Sequence, residues 1–503
     1  MNESDFTQIL QYISQDHNSD DLLQKLQSVK EQNKIFSDVY TIDADGNTLQ
    51  FVELVQEGGG TLGISLVGFC FVLEYCGIRF LKLAGTSAGA INTLFMAALG
   101  KNKECCSTPE LFQIVRNMNM FSFVDGHWIA KRAIRSLISK DGWLKSTIFA
   151  FVVLVLFLMI FYPLISIFGE IGNGVYLLGL AVFLIFVGIN VYLYLRFKKA
   201  KYGVNSGKEF LKFLVKNLEK KNISTKLELD RIAKFTINED GSVEGNSNYK
   251  FYGRSENVVE NQKIIQVLNQ EYHTNRQYNF TLKNLQADYT FITVDISSER
   301  KIELPAQAGL YWSNPNFDVN PAVFVRSSMA IPLFFEPVIQ QIDRSDVKII
   351  ENWAKIFVNQ HEIPNQGIFV DGGSISNFPI NIFHNEKIII PRLPVFGIRI
   401  NDVKPNPDTE IKTLGNYAGR ILNTMKSNYD KDFLTKNNFY EKYSIADIDT
   451  YLTKANWLDF NMSEENKKAL FLKGVESAID FLERFNWLDY KTNRAKVYYE
   501  NNK

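Results

Sequence analysis

A serine between two glycines is the first feature of the sequence that could carry chemistry. Ser87 lies in the pentapeptide Gly85-Thr-Ser-Ala-Gly89, which follows the strand-like run FLKLA and opens a run of small, helix-forming residues. A turn of this kind holds the serine on a strained corner with its hydroxyl presented outward, and the glycines permit a close approach of neighbouring chain. The pattern predicts a nucleophile at Ser87, and the alternative is a tight turn between two core elements.

A glycine-rich loop precedes this serine and also stands between a predicted strand and a predicted helix. Its sequence GGGTLG fits the dinucleotide pattern G-x-G-x-x-G, but no carboxylate stands about 20 residues further on, where that fold requires one. Backbone N–H groups at a helix N-terminus instead form an anion site, as an oxyanion requires. We therefore expect an oxyanion hole at Gly58, Gly59, Gly60 and Thr61, with Gly63 as the last glycine of the motif. The alternative is a plain glycine-rich turn.

An aspartate late in the chain is the candidate base. Asp371 ends the strand-like run IFV and enters the turn of Gly372 and Gly373, so its carboxylate is expected at the same sheet edge as Ser87. The alternative is a type I′ hairpin turn, because Asp-Gly is a favoured pair there. His384 follows in the order that a Ser-Asp-His triad would need. It stands in a polar segment, however, and we expect a surface residue there.

Strand-like and helix-like runs alternate on both sides of these motifs. Strand composition recurs at residues 49–55, 80–84, 289–296, 368–373 and 395–400, and the last hundred residues are helical in pattern, with Ser463 as an expected N-cap. This alternation predicts an α/β fold with a largely parallel sheet. The expected domains are an N-terminal helical extension (1–48), a catalytic domain in two parts (49–145 and 199–400, with a polar insertion near 235–285) and a C-terminal helical region (401–503).

Composition excludes several classes of function. Lys and Arg together number 55, as do Asp and Glu, so the formal net charge of zero gives no electrostatic reason to expect a nucleic-acid partner. The four cysteines have no metal-like spacing, which indicates a reduced compartment and predicts no metal. The acidic N-terminus lacks the apolar core of a secretory signal.

Two uncharged runs in the middle of the chain predict a transmembrane hairpin within residues 146–198. Residues 148–168 and 175–195 carry no charge, and each is near the ~20 residues that span a bilayer. Basic residues flank the pair on both outer sides, which places both termini and the catalytic domain in the cytoplasm. The alternative is a pair of helices buried in a large core.

The order of the three motifs resembles that of the patatin-like phospholipase family, in a bacterial type with an inserted hairpin. The glycine-rich loop, GTSAG and DGGSISNFP stand in the family's order, and VRSSMAIPLFFEPV resembles the family's segment ahead of the acid. The resemblance extends over roughly residues 51–400 and implies a three-layer α/β sandwich. Two departures concern the glycine loop: the family commonly has Asp where Glu57 stands, and Arg or Lys where Leu62 stands.

The resemblance also implies a chemistry. Ser87 would attack an acyl ester, Asp371 would take its proton, and the glycine loop would hold the oxyanion, with no metal or organic cofactor. The hairpin makes a membrane phospholipid or lysophospholipid the expected substrate of a membrane-tethered acyl hydrolase. An acyltransferase using the same dyad and a catalytically degenerate lipid-binding protein remain as alternatives, and the sequence leaves the oligomeric state open.

Overall fold

The computed structural model describes residues 6–16, 19–100, 105–126, 169–244, 246–283, 285–356, 362–404, 414–453 and 455–502. Its strands are β1 (Val39–Ile42), β2 (Thr48–Gln56), β3 (Ile78–Thr86), β4 (Phe235–Thr236), β5 (Ser242–Val243), β6 (Asn246–Lys250), β7 (Tyr252–Gly253), β8 (Gln286–Asp295), β9 (Arg300–Leu304), β10 (Val338–Gln341), β11 (Gln366–Asp371), β12 (Val395–Asn401) and β13 (Ile445–Asp449).

Its helices follow the same chain order. They are α1 (Thr7–Ser14), α2 (Ser19–Glu31), α3 (Ile64–Tyr75), α4 (Ala88–Leu99), α5 (Thr108–Arg116), α6 (Gly169–Lys199), α7 (Lys208–Glu219), α8 (Lys226–Ala233), α9 (Ser255–Tyr272), α10 (Pro315–Asp318), α11 (Pro321–Ser328), α12 (Val347–Ala354), α13 (Leu414–Lys436), α14 (Phe439–Tyr443), α15 (Glu464–Arg484) and α16 (Trp487–Asn501).

A mixed sheet forms the centre of the fold. Five strands run parallel in the order β13-β12-β2-β3-β8, and antiparallel strands, among them β1, β9, β10 and β11, extend it. The sequence of β2 explains its central place, because every residue from Leu49 to Gln56 is buried and such unbroken burial is typical of a strand covered on both faces. The expected α/β class with a mostly parallel central sheet is therefore confirmed.

Two strands meet end to end along one flank of β8. Thr86, the last residue of β3, pairs with Ile292, and Asp371, the last residue of β11, pairs with Thr293. Strand β9 pairs with residues Phe291–Asp295 and so occupies the opposite flank. Because β3 is parallel to β8 and β11 is antiparallel to it, the carboxyl ends of β3 and β11 face each other at consecutive positions, about 3.3 Å apart along β8.

Helices cover the sheet where the chain leaves its central strands. Helix α4 follows β3 directly and packs against β3 and β8, while α3 packs against α15. The latter two helices approach closely at Gly68 and Gly474, since a Cβ atom at either position would overlap the partner helix's backbone. Ser463 caps α15 as expected, and its Oγ accepts a hydrogen bond from the Asn466 N–H.

The chain divides into two compact units. The larger unit holds residues 1–120, 211–330 and 338–503, which include the sheet, and the smaller holds residues 121–210 and 331–337. Within the smaller unit, the Asp125 carboxylate accepts hydrogen bonds from the Ser206 hydroxyl and from the backbone N–H groups of Gly207 and Glu209. The expected polar insertion near 235–285 contains the short strands β4 to β7 and the long helix α9.

The predicted transmembrane hairpin needs correction. The first run, residues 148–168, lies outside the described residues, and the second, residues 175–195, falls within α6. Among the residues for which the structure gives a placement, no helix is long and apolar enough to cross a membrane. The prediction of an integral membrane protein with two spans is therefore wrong. It rested on the absence of charge, which is a weaker criterion than the apolarity of a whole helix.

A buried ion pair joins the start of β1 to the C-terminal helix α16. The Asp38 carboxylate and the Lys491 ammonium are both fully buried, with Oδ1 and Nζ 3.6 Å apart. Asp38 also accepts hydrogen bonds from Trp487 Nε1 at 2.6 Å and from Asn261 Nδ2 at 3.1 Å. These partners satisfy a charge whose removal from water would otherwise be costly.

We predict that Lys491→Met destabilises the protein by about 3–5 kcal/mol, because the substitution leaves the Asp38 charge buried without its cation. Urea unfolding followed by circular dichroism measures this loss. Lys496→Met, an exposed position on the same helix, is the control and should change stability by no more than about 0.5 kcal/mol. Equal losses in the two variants would contradict the prediction.

Candidate active site

Ser87 occupies a strained backbone conformation at the turn from β3 into α4. Its φ of 53° and ψ of −116° lie in a region that side-chain-bearing residues rarely adopt, at a cost of about 1–3 kcal/mol. The Ser87 N–H donates to Ser328 Oγ at 2.9 Å, and the Ser87 hydroxyl donates to Met329 Sδ at 3.1 Å. The side chain is buried, with 5% of its surface exposed.

The glycines of this turn stand where other residues would collide. A Cβ atom at Gly85 would overlap the backbone of Gly89, and one at Gly89 would overlap the Gln56 carbonyl oxygen. Gly63 meets the same turn from the other side, since its Cβ would lie 2.7 Å from the Ala88 Cβ. The two glycine motifs of the sequence therefore pack against each other and fix the direction of Ser87.

Asp371 is held by its own turn and by a neighbouring segment. Its Oδ1 accepts a hydrogen bond from the Gly373 N–H at 2.7 Å, and its N–H donates to the Ala330 carbonyl oxygen at 2.9 Å. Gly372–Ser374 form a 3-10 turn rather than the hairpin turn that Asp-Gly could also have formed. A Cβ atom at Gly372 would lie 3.0 Å from Thr86 Cγ2, which places this turn against the end of β3.

One segment of three consecutive residues contacts Ser87 at one end and Asp371 at the other. Ser328 and Met329 bind the amide and the hydroxyl of Ser87, and Ala330 binds the amide of Asp371. This segment lies within VRSSMAIPLFFEPV, where sequence reasoning assigned no role to any individual residue. The structure thus brings the predicted nucleophile and the predicted base together by two independent means, the flank of β8 and this segment.

The glycine-rich loop offers two backbone donors of the four that the sequence suggested. The Gly58 N–H donates to the Asn377 carbonyl oxygen at 3.1 Å and the Thr61 N–H to that of Trp457 at 2.9 Å. Within the part of the chain that the structure describes, the N–H groups of Gly59 and Gly60 donate no hydrogen bond. Because a Cβ at Gly58 would lie 3.0 Å from the Ser87 Cβ, the loop adjoins the serine.

Asn377 ties the glycine loop to the turn after Asp371. Its Nδ2 donates to Glu57 Oε1 and to the Gly58 carbonyl oxygen, both at 2.9 Å. Glu57 Oε2 in turn accepts from the Ile400 N–H at 2.6 Å. The Glu57 carboxylate therefore braces the loop, and the buried Leu62 adds no charge beside it.

Two positioning contacts come from parts of the chain that sequence reasoning did not connect with the site. Asn456 and Trp457 accept hydrogen bonds from Thr61 through their carbonyl oxygens. Asp430 accepts from the Ser376 hydroxyl at 2.7 Å and the Phe378 N–H at 3.0 Å, and burial raises the pKa of the Asp430 carboxyl. No sequence motif indicates these residues, because only the packing of the chain brings them into contact with the glycine loop or with the turn after Asp371.

His384 does not join the candidate dyad. Its Nδ1 lies 3.0 Å from the Tyr440 hydroxyl and its ring packs edge-on against Phe433. Burial, with a smaller contribution from the Arg494 charge, lowers the pKa of His384 to about 4. The expectation of a surface residue is therefore wrong, since His384 is a half-buried, neutral contact among aromatic rings. Among the described residues, no group of three or more His, Cys, Asp or Glu side chains is arranged to hold a metal ion.

Comparisons with known proteins give a family match, a sequence relative and an alignment with a solved structure. The patatin-like phospholipase family model matches residues 54–158, a range that contains the glycine loop and Ser87 but not Asp371. YqhO, an uncharacterized protein of Bacillus subtilis, is 26% identical over 198 residues, which cover 39% of this chain and 57% of that protein. The crystal structure of VipD from Legionella pneumophila aligns over 90% of this chain and 71% of its own, with 13% identity and a TM-score of 0.34. The family match supports a lipid acyl hydrolase at the family level.

We predict that Gly60→Ala destabilises the protein by at least about 1 kcal/mol more than Gly46→Ala. Both glycines have positive φ, 55° and 84°, so both substitutions carry the same kind of backbone strain. Only at Gly60 would the new Cβ also overlap the Trp457 carbonyl oxygen, whereas Gly46 has open space. Urea unfolding of the two variants measures the difference, and equal losses would show that Trp457 does not clamp the loop.

We predict that His384 makes stability fall as the pH is lowered from about 6.5 toward 4. In this range the unfolded chain, with an ordinary histidine pKa near 6.5, binds a proton that the folded state with its pKa of about 4 does not. Solvent reaches part of the ring, so we expect the protein to lose only about 1–2 kcal/mol more than His384→Gln between pH 7 and 4.5. Parallel stability curves for the two proteins, measured by urea unfolding, would contradict this.

Proposed function

We propose that this protein is a serine lipid acyl hydrolase in which Ser87 is the nucleophile and Asp371 the general base. The observation that carries the proposal is the end-to-end meeting of β3 and β11 on one flank of β8, because Ser87 follows the last residue of β3 and Asp371 is the last residue of β11. The strained backbone of Ser87 and the match of residues 54–158 to the patatin-like phospholipase family support it further.

The proposed reaction begins with proton transfer from the Ser87 hydroxyl to the Asp371 carboxylate as Oγ attacks the acyl carbonyl carbon. The carbonyl oxygen then carries a negative charge, for which the N–H groups of Gly59 and Gly60 are the proposed donors. Asp371 returns the proton to the leaving alcohol, and the acyl group stays on Ser87. A water molecule activated by Asp371 hydrolyses this acyl-enzyme and frees a fatty acid.

The hydrogen bond from Ser87 to Met329 is compatible with this first step. A thioether sulfur is a weak acceptor, so the Ser87 hydroxyl gives up little when it turns toward a carboxylate. Ser87 and Asp371 are 5% and 6% exposed, so both proposed catalytic residues are largely shielded from bulk water. The finer proposal for the substrate is a phospholipid or lysophospholipid ester.

We predict that Ser87→Ala abolishes labelling by a fluorophosphonate probe and lowers fatty-acid release by about 10³-fold or more, because the nucleophile is lost. Asp371→Asn should lower the rate by about 10²–10⁴-fold, since the amide keeps the hydrogen bond to Gly373 but accepts no proton from Ser87. Short-chain soluble esters and phosphatidylcholine in detergent micelles are the substrates.

Two exposed positions supply matched controls. Ser345→Ala and Asp318→Asn alter surface residues and should keep labelling and rate within twofold of the parent protein. If Ser87→Ala released fatty acid as fast as these controls, the proposed nucleophile would be wrong. If Asp371→Asn did so, the proposed base would be wrong while the serine assignment stood.

A further inference from the structure

Three apolar side chains stand exposed in segments that adjoin the glycine-rich loop or follow the strands next to it. Val403, Leu452 and Trp457 are 73%, 62% and 39% exposed. We call these three residues the docking rim. Such exposure is unfavourable for a Val or a Leu, because transfer of an apolar side chain out of water is stabilising. Exposed apolar side chains that share one edge of a sheet are typical of a surface that has a partner.

The sheet brings the three residues to one edge. Strands β12 and β13 are parallel and neighbours, with Asn401 opposite Asp449 at their carboxyl ends. Val403 follows the first strand by two residues and Leu452 follows the second by three. The Thr450 hydroxyl donates to the Asn401 carbonyl oxygen at 3.0 Å and joins the two chain ends there.

Trp457 links the docking rim to the candidate active site. Its carbonyl oxygen accepts the Thr61 N–H, and it lies where a Cβ at Gly60 would stand. Gly58, two residues earlier, adjoins Ser87. Since β2 pairs with β12 in parallel, the glycine loop leaves the sheet at the same edge as Val403. Trp457 therefore adjoins the loop proposed to hold the oxyanion, and Val403 and Leu452 follow strands that end at the same edge of the sheet.

We propose that the docking rim inserts into the surface of a phospholipid bilayer and so brings acyl esters to the loop beside Ser87. This inference rests on the proposed function, which makes lipid the substrate. Apolar side chains flanked by exposed Asp402 and Lys404 suit the boundary between headgroups and acyl chains, and tryptophan favours that depth. The driving force is burial of apolar surface, so the association survives high salt.

The test measures partition of the Ser87→Ala protein onto phosphatidylcholine vesicles by sedimentation, where no turnover disturbs the binding. Adding Leu452→Glu should weaken partition about 10- to 100-fold, because one buried Leu contributes roughly that factor. Val403→Glu should act similarly, and both together should abolish binding. Binding of the Ser87→Ala parent should persist in 1 M salt.

Val267→Glu is the matched control. Val267 lies on α9 and is 61% exposed. Two other residues of α9, Ile265 and Leu268, pack with Ile390, which precedes β12. This helix therefore adjoins the opposite, amino edge of that strand, and the control should bind vesicles like the parent. All variants should show the parent's thermal unfolding, since the altered side chains are exposed.

The outcomes separate this proposal from the proposed function. In the background with Ser87 intact, Leu452→Glu should keep its rate on a short-chain soluble ester within twofold while losing hydrolysis of vesicles. The docking proposal is overturned if the Ser87→Ala parent does not bind vesicles, if the Glu variants bind as the parent does, or if binding disappears in 1 M salt. If rim-dependent binding is found in a protein that neither reacts with fluorophosphonate nor hydrolyses the soluble ester, the docking surface stands and the proposed function fails.

Discussion

The meeting of two strand ends on one flank of β8 is the constraint on which the candidate site depends. A strand has only two flanks, and β9 fills one of them beside residues Phe291–Asp295. The other flank must therefore be shared, with β3 ending opposite Ile292 and β11 ending opposite Thr293. Neither chain can continue straight on, so both turn away at this point. Those two turns carry Ser87 and Asp371.

Glycines allow the turns to be as tight as this meeting requires. The chain must leave β3 beside Gln56 and enter α4 without room for side chains at Gly85 and Gly89. The backbone strain that remains at Ser87 costs about 1–3 kcal/mol. Two sets of hydrogen bonds hold the arrangement in place: the Ser87 N–H donates to Ser328, and Asn377 donates to Glu57 and Gly58 of the glycine loop. Backbone strain of this kind persists only where surrounding contacts determine the conformation.

Local sequence patterns were sufficient to locate some strands and one helix cap, but not the direction of every strand. The runs at residues 49–55 and 80–84 correspond to β2 and β3, and Ser463 caps α15, because local propensity and burial agree there. The direction of β11 was outside the reach of such patterns. The sequence indicated a strand at residues 368–373, but only long-range pairing makes it antiparallel to β8. The transmembrane prediction was wrong. It relied on two runs without charge, whereas no helix among the described residues is long and apolar enough to cross a membrane.

By itself, the sequence determined the elements and the residue types of the candidate site. A strand-turn-helix signal at Ser87, glycines at Gly58 to Gly60 and an acid at the end of a strand are local features, and local features follow from backbone sterics and side-chain chemistry. The tertiary structure alone decided that β11 ends against the end of β3, and that Asn377 and Glu57 brace the glycine loop. It also decided that Asn456 and Trp457 hold Thr61 of that loop, while Asp430 holds Ser376 and Phe378. These contacts join residues that are scores to hundreds of positions apart, and only the pairing of strands and the packing of the core bring them together.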